Sequence, residues 1–207
     1  MKTITKWLLL LLIFVFIISG CSPRAKYERR LKKELASGVR CDSIFLGLYF
    51  GMAEKDFYGH CWKLNHKGMI RQGETNTAAE FQLIDELKYP ATMDFYPKFN
   101  QGKISEMPVS FKYKGWAPWN KTLSSEKLQI AVEKWYEKTY GKGFIKVKHP
   151  LHGTAYVKID GNRRITIFKE NDLRVWAIFT DMTVKKGWYD SVSQQDNIQN
   201  DTTKSSK

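Results

Sequence analysis

The chain has 207 residues, with 34 Lys+Arg against 21 Asp+Glu, a formal net charge of +13, and 43% hydrophobic and 14% aromatic residues. That balance excludes a wholly disordered, collagen-like or coiled-coil chain, and three Cys are too few for a disulfide scaffold. The length suits one ordinary domain with appendages, since a body of roughly 150 residues buries about two-thirds of its surface.

Met1 to Lys6 carries Lys2 and Lys6 and no acid, and Trp7 to Ile18 is an unbroken apolar run of twelve residues. Spanning a bilayer takes about 20 apolar residues, so the shorter run has the length of a signal-peptide h-region behind a positive n-region. Ile18-Ser19-Gly20-Cys21 follows directly: an aliphatic residue, two small residues and a Cys. This resembles the lipobox of bacterial lipoproteins. The resemblance implies cleavage before Cys21, diacylglycerol on its thiol and a fatty acyl chain such as palmitate on the new amino group. Those chains exceed the two signals that stable anchoring needs. Ser22, in place of Asp, implies the outer membrane, with the body on its periplasmic face. An uncleaved anchor or ordinary secretory cleavage is the alternative.

Arg24 to Glu34 holds six basic residues (Arg24, Lys26, Arg29, Arg30, Lys32 and Lys33) and two acids. Tyr27, Leu31 and Leu35 recur at helical spacing, so a short amphipathic helix is expected. It reads either as a solvated tether or as a cationic face lying on anionic lipid, each base contributing about 1 kcal/mol. Export from the cytoplasm argues against a nucleic-acid partner. The expected organisation is a signal peptide over 1–20, a basic tether over 21–38, one α+β domain over 39–188 and a disordered polar tail over 189–207.

Within the body, 42–51 reads as a strand or extended entry with apolar residues at 44, 46, 48 and 50. Residues 52–66 read as a helix with Phe57, Cys61 and Leu64 on one stripe and Tyr58 and Trp62 flanking it. Glu54 and Asp56 suit its first turn, and Lys63, His66 and Lys67 its last. From 77 to 113 the spacing approaches two and Pro90, Pro97 and Pro108 punctuate it, which predicts three strands. Tyr113-Lys114-Gly115-Trp116-Ala117-Pro118-Trp119-Asn120-Lys121 follows. Its indoles, Trp116 and Trp119, with Lys114 and Lys121 beside them, form a candidate binding platform for a glycan, a protein or the membrane interface. The alternative is that both indoles fold back over the sheet edge.

Ser125 to Tyr140 fits a second helix with Leu128, Val132, Trp135 and Thr139 on one face, and glycines at 141 and 143 end it. Strands over 155–159, 165–168 and 173–179, with turns at Asp160-Gly161-Asn162 and Asn171-Asp172, make a meander with Arg163, Arg164, Lys169 and Arg174 as exposed charges. The fold expected is therefore α+β: an antiparallel sheet packed on one face by two main helices, readable as two helix–three-strand units.

Gly51-Met52-Ala53, followed by Glu54 and Phe57, opens a helix after a short extended segment. It is similar to the helix start of the small lipoprotein of the outer-membrane barrel-assembly machinery. The element order resembles modules of the β-lactamase inhibitor proteins. The chain departs from the former in lacking Leu-Gly-x-Pro after the helix and in showing one helix per unit. In other respects it resembles envelope lipoproteins generally.

Cys41 and Cys61 are a candidate disulfide, worth roughly 3 kcal/mol for a loop of about 20 residues, or else two independent thiols. His60, His66, His149 and His152 have no neighbouring Cys or acid to complete a metal set and read as exposed. No nucleophile, phosphate-loop or dinucleotide motif is present, and Asp85, Glu86, Glu133 and Glu137 read as solvated. No catalytic residue, metal or cofactor is assigned. The function expected is a non-enzymatic binding or assembly module with an envelope protein or glycan as partner. Alternatives are an envelope enzyme acting on glycan or peptidoglycan, and a small-ligand or inhibitor-like module using its sheet face.

Overall fold

The fold is described from a computed structural model covering residues 22–75 and 77–184; the signal segment, Cys21 and the polar tail lie outside the described residues. In chain order the elements are α1 (Pro23–Ala36), α2 (Glu54–His66), β1 (Ile70–Gln72), β2 (Ala79–Leu83), β3 (Ala91–Phe95), β4 (Lys98–Asn100), β5 (Lys103–Tyr113), α3 (Ser125–Tyr140), β6 (Ile145–His149), β7 (Gly153–Asp160), β8 (Arg163–Lys169) and β9 (Val175–Asp181). All strands join one antiparallel sheet in the order β1-β2-β3-β5-β9-β8-β7-β6, with β4 pairing the first part of β5.

The architecture is the expected α+β sheet with α2 and α3 on one face, and its internal duplication is larger than three strands. A helix leads into a meander twice, α2 into β1–β5 and α3 into β6–β9, and the last strand of each meander pairs with the other. Three short strands escaped the sequence reading. β1 and β4 are three residues long each, so that 77–113 holds four strands rather than three, and β6 (Ile145-Lys-Val-Lys-His149) alternates apolar and charged residues too briefly to stand out.

Helix α2 begins at Glu54, two residues later than expected. The backbone of Met52 is spent elsewhere: its N–H donates to Tyr49 O, and its carbonyl accepts from Ile104 N at 2.9 Å. Phe57 and Leu64 are buried on the expected stripe, Cys61 is half-buried, and Tyr58 and Trp62 are exposed. On α3, Tyr136 replaces Thr139 as the third member of the buried face with Leu128 and Val132. Thr139 is exposed and back-bonds to Trp135 O.

Residues 42–52 are not a strand. Among them only a single bridge, Ser43 to Tyr49, pairs in the strand manner. Leu46 (φ 49°) and Gly47 (φ 77°) turn the chain so that Ile44, Leu48, Phe50 and Met52 all enter the core. Phe45 meets Phe95 and Phe179 edge-on at 5.0 and 5.7 Å, over strands β3 and β9. The loop is pinned from both helices: Tyr140 Oη donates to Ile44 O at 2.7 Å, and His60 Nε2 lies 2.6 Å from Leu46 O.

The polar underside of this loop is tied to the β7–β8 turn. Asn162 accepts from Cys41 N and donates to Asp42, and Arg163 donates to Ser43 O while its guanidinium sits 4.9 Å from the Tyr140 ring. A Cβ on Gly161 (φ 54°) would stand 2.2 Å from Val39 O, so only glycine lets the chain pass there. Arg163 and Arg164 are therefore buried, not the exposed charges expected.

Leu48 is 1% exposed at the centre of this loop. Leu48→Ala should lower the unfolding free energy by about 3 kcal/mol, read by urea denaturation with an unchanged m-value.

Candidate functional site

Helices α2 and α3 cover one side of the sheet, so register decides what the other side presents. One row across that other side runs Arg71, Glu80, Asp94, Ser110, Trp176, Phe168, Ala155 and Val147. The adjoining row pairs Gln82 with Thr92 and Thr92 with Lys112. This face is thus polar from β1 to β5 and aromatic or apolar from β9 to β6.

The apolar end is covered by α1. Tyr27 is buried against Val157 and Ile159, with Leu31 and Val147 beside it, and its hydroxyl accepts from Arg164 at 3.2 Å. Glu34 accepts from Gly161 N and pairs with Arg30. The segment read as a tether is therefore a helix docked on the sheet, because Tyr27 and Leu31 find an apolar strip there. Arg24, Lys26, Arg29, Arg30, Lys32 and Lys33 are exposed around it.

The polar end is left uncovered by α1, α2 and α3, and its charges are largely paired with one another. Arg71 donates to Glu80 Oε1 through Nε at 2.7 Å and Nη2 at 2.6 Å, and Gln82 Nε2 donates to the same oxygen. Glu74, on the β1–β2 loop, receives Lys112 and Arg174. Asp94 faces Glu80 across the β2–β3 ladder, and a Cβ on Gly73 would lie 2.6 Å from Asp94 Oδ1, so glycine makes room for the carboxyl. Burial, together with the Glu80 charge, pushes Asp94 up to about 6, against the opposing pull of Arg174 and Arg71. Burial and the Arg174 charge lower Lys112. Three buried polar atoms here, Gln82 Oε1, Thr92 Oγ1 and Asp94 Oδ1, have no hydrogen-bond partner among the described residues.

The residues singled out by sequence lie elsewhere. Trp116 and Trp119 occupy the loop between β5 and α3: Trp116 is half-buried, Trp119 is 83% exposed, and Lys114 and Lys121 are exposed. Trp119 therefore does not fold back over the sheet. Cys41 and Cys61 are both free thiols, so the candidate bridge is not formed; Cys41 is held by the Asn162 turn, and burial pushes the Cys61 thiol up to about 11. His149 is buried rather than exposed, stacked on Phe168 at 4.8 Å, with Nδ1 accepting from Leu151 N and His152 N. Burial and the neighbouring His152 bring it down to about 4. Among the described residues no group of three or more His, Cys, Asp or Glu is placed to hold a metal.

Sequence reasoning missed Glu80, Gln82, Thr92, Asp94 and Ser110. Polar residues at alternate strand positions look like a solvated face; only their cross-strand company shows that they are clustered and largely buried. No family model, curated protein or solved structure matches the chain.

The two shifted groups act oppositely on stability. Folded Asp94 binds its proton more tightly than in the unfolded chain, so its contribution is present below about pH 4 and is lost as pH rises through about 6. Folded His149 binds its proton less tightly, so its contribution is present above about 6.5 and is lost as pH falls towards 4. Asp94→Asn should therefore stabilise the chain at pH 7 by about 1 kcal/mol after solvent screening. It should also make stability fall more steeply from pH 6.5 to 4 than in wild type, measured by denaturant midpoints across that range.

Proposed function

We propose that this chain is a lipid-anchored envelope protein that works as a non-enzymatic binding module, receiving its ligand on the uncovered polar half of its sheet. The observation that carries the reading is that half-face. Charged side chains, Arg71, Glu74, Lys112 and Arg174, rim it at partial to full exposure in mutual ion pairs, over buried Glu80, Thr92 and Ser110. Ion pairs at a sheet surface add only about 0–1 kcal/mol of stability each, whereas they offer a partner an ordered set of charged and polar contacts.

Binding is favoured over catalysis by the way the two facing carboxyls are held. Glu80 is engaged by Arg71 and Gln82 through one oxygen, which fixes it in place rather than exposing it for attack. The anchor rests on the basic flank, the apolar run and Cys21. The start of α1 at Pro23, two residues beyond Cys21, supports a rigid connection: an acylated Cys21 would hold the sheet close to the lipid surface through a docked helix. The exposed bases of α1 suit an anionic headgroup layer, and the placement proposed is the periplasmic face of the outer membrane.

Growth with labelled palmitate should label the wild-type chain and leave Cys21→Ser unlabelled and released from the membrane fraction. Equal labelling of both, or membrane retention of the variant with its original N-terminus, contradicts the anchor. Site-specific photocrosslinkers in living cells test the binding face. A crosslinker replacing Lys112 should capture a ligand that one replacing Glu137 on α3 does not.

A further inference from the structure

We propose that the chain seats one end of its sheet on an anionic bilayer. Trp119 and Leu151 enter the boundary between headgroups and acyl chains, and Lys114, Lys121 and Lys148 meet the lipid phosphates. This rests on the lipid-anchored reading above and adds which surface touches the lipid.

Helix α1 sets the direction. Its contacts follow β7 in order: Glu34 accepts from Gly161 N, Arg30 donates to Ile159 O, and Tyr27 packs on Val157. The N-terminus of α1 therefore points to the end of the sheet where β7 begins, at Gly153. From Tyr27 back to Ser22 a helix travels only about 8 Å, so the chain leaves the fold close to that end. Cys21 and the apolar run from Trp7 to Ile18 immediately precede Ser22, so a lipid that holds the chain meets it there.

Register brings two exposed apolar side chains to the same end. His149 pairs with Gly153 across the β6–β7 hairpin, whose tip carries Leu151 at 58% exposure. Further along the sheet Ala155 pairs with Phe168, Phe168 with Trp176, and Trp176 with Ser110. The loop that follows β5 therefore emerges at this end too. It carries Trp119, at 83% the most exposed large apolar side chain among the described residues. An indole suits the headgroup level because its ring is apolar while its N–H keeps a polar partner.

Charge separates this end from the opposite one. No acid occurs between Glu106 and Glu126, or between Glu137 and Asp160, and these stretches hold both loops. Lys114, Lys121 and Lys148 within them are exposed. Nearby Glu126 and Asp172 are engaged by Lys169. The opposite end also exposes apolar side chains, Val39 and Val184, but there Asp42, Asp160 and Asp181 offset Arg40 and Arg163. An anionic surface is drawn to the first end and gains little at the second. The β2–β3 loop shares the first end, yet Asp85 and Glu86 follow its exposed Ile84, which confines the seat to the α1 side.

The test places the full 207-residue chain in vesicles of equal parts phosphatidylglycerol and phosphatidylcholine, brominated near the glycerol end of their acyl chains. The apolar run carries the chain to the bilayer whether or not Cys21 is acylated, so failure of the anchor reading leaves this result readable. Tryptophan quenching is measured in a Trp7→Phe background, which removes the indole of that run. Trp119→Phe should then abolish about half of the quenching or more, with the melting temperature unchanged because the side chain is exposed. Joint replacement Lys114→Glu, Lys121→Glu and Lys148→Glu should lower the quenching as well, and so should vesicles of phosphatidylcholine alone.

Quenching unchanged by Trp119→Phe overturns the seat. Quenching that is equal on phosphatidylcholine alone and indifferent to the charge reversal overturns the anionic partner. In cells, a photocrosslinker replacing Trp119 should capture phospholipid; capture of a protein without lipid assigns this end to a protein partner and overturns the proposal.

Discussion

Pairing between β5 and β9 joins two helix-led meanders into one sheet, and the loop over residues 42–52 seals the seam from the helix side. Helix α3 crosses that seam, lying over β5, β8 and β9, while α2 lies towards β1. The apolar residues Ile44, Phe45, Leu48 and Phe50 fill the interval, and hydrogen bonds from Tyr140 and to the vicinity of His60 tie the same loop to both helices. The site depends on this indirectly. Because the whole apolar demand of the central strands is met on one side, their opposite side is released to carry Thr92, Asp94 and Ser110.

The opposite side is then divided by α1. Its Tyr27 and Leu31 take the strip formed by Val157, Ile159 and Val147, which leaves the β1–β5 half uncovered by helix. The helix that closes one end of this face is also the segment that follows Cys21. In the proposed setting, the chemistry that anchors the chain therefore also fixes which way the open half of the sheet looks.

Regular elements were legible in the sequence where period and punctuation agreed. The α3 boundaries at Ser125 and Tyr140 and the turns at Gly161 and Asn171 are read directly from apolar spacing and Gly/Asn chemistry. Legibility failed where tertiary partners overrode local pattern. The alternation at 44, 46, 48 and 50 suggests a strand, yet Leu46 and Gly47 adopt positive φ and turn the loop, whose Ile44 and Leu46 carbonyls are held by Tyr140 of α3 and His60 of α2. Arg163 and Arg164 look exposed in sequence because the groups that satisfy them, Ser43 O and Tyr27 Oη, are more than a hundred residues away. The candidate site was hidden for the same reason: Glu80, Asp94 and Ser110 are neighbours only through sheet register, while the Trp116–Trp119 motif drew attention by composition alone.

The central claim is that the two meanders form one cooperative sheet closed by the 42–52 loop, with its polar face held rigid as a consequence. Native-state amide hydrogen exchange across a denaturant series tests it most directly. Amides of Val109 in β5 and Ala177 in β9 should exchange only through global unfolding, with equal free energies and the same denaturant dependence as amides in β8. If the β1–β5 half exchanged through its own subglobal opening while β7–β9 stayed protected, the two meanders would be separate units, and the account of a single sealed sheet would be contradicted.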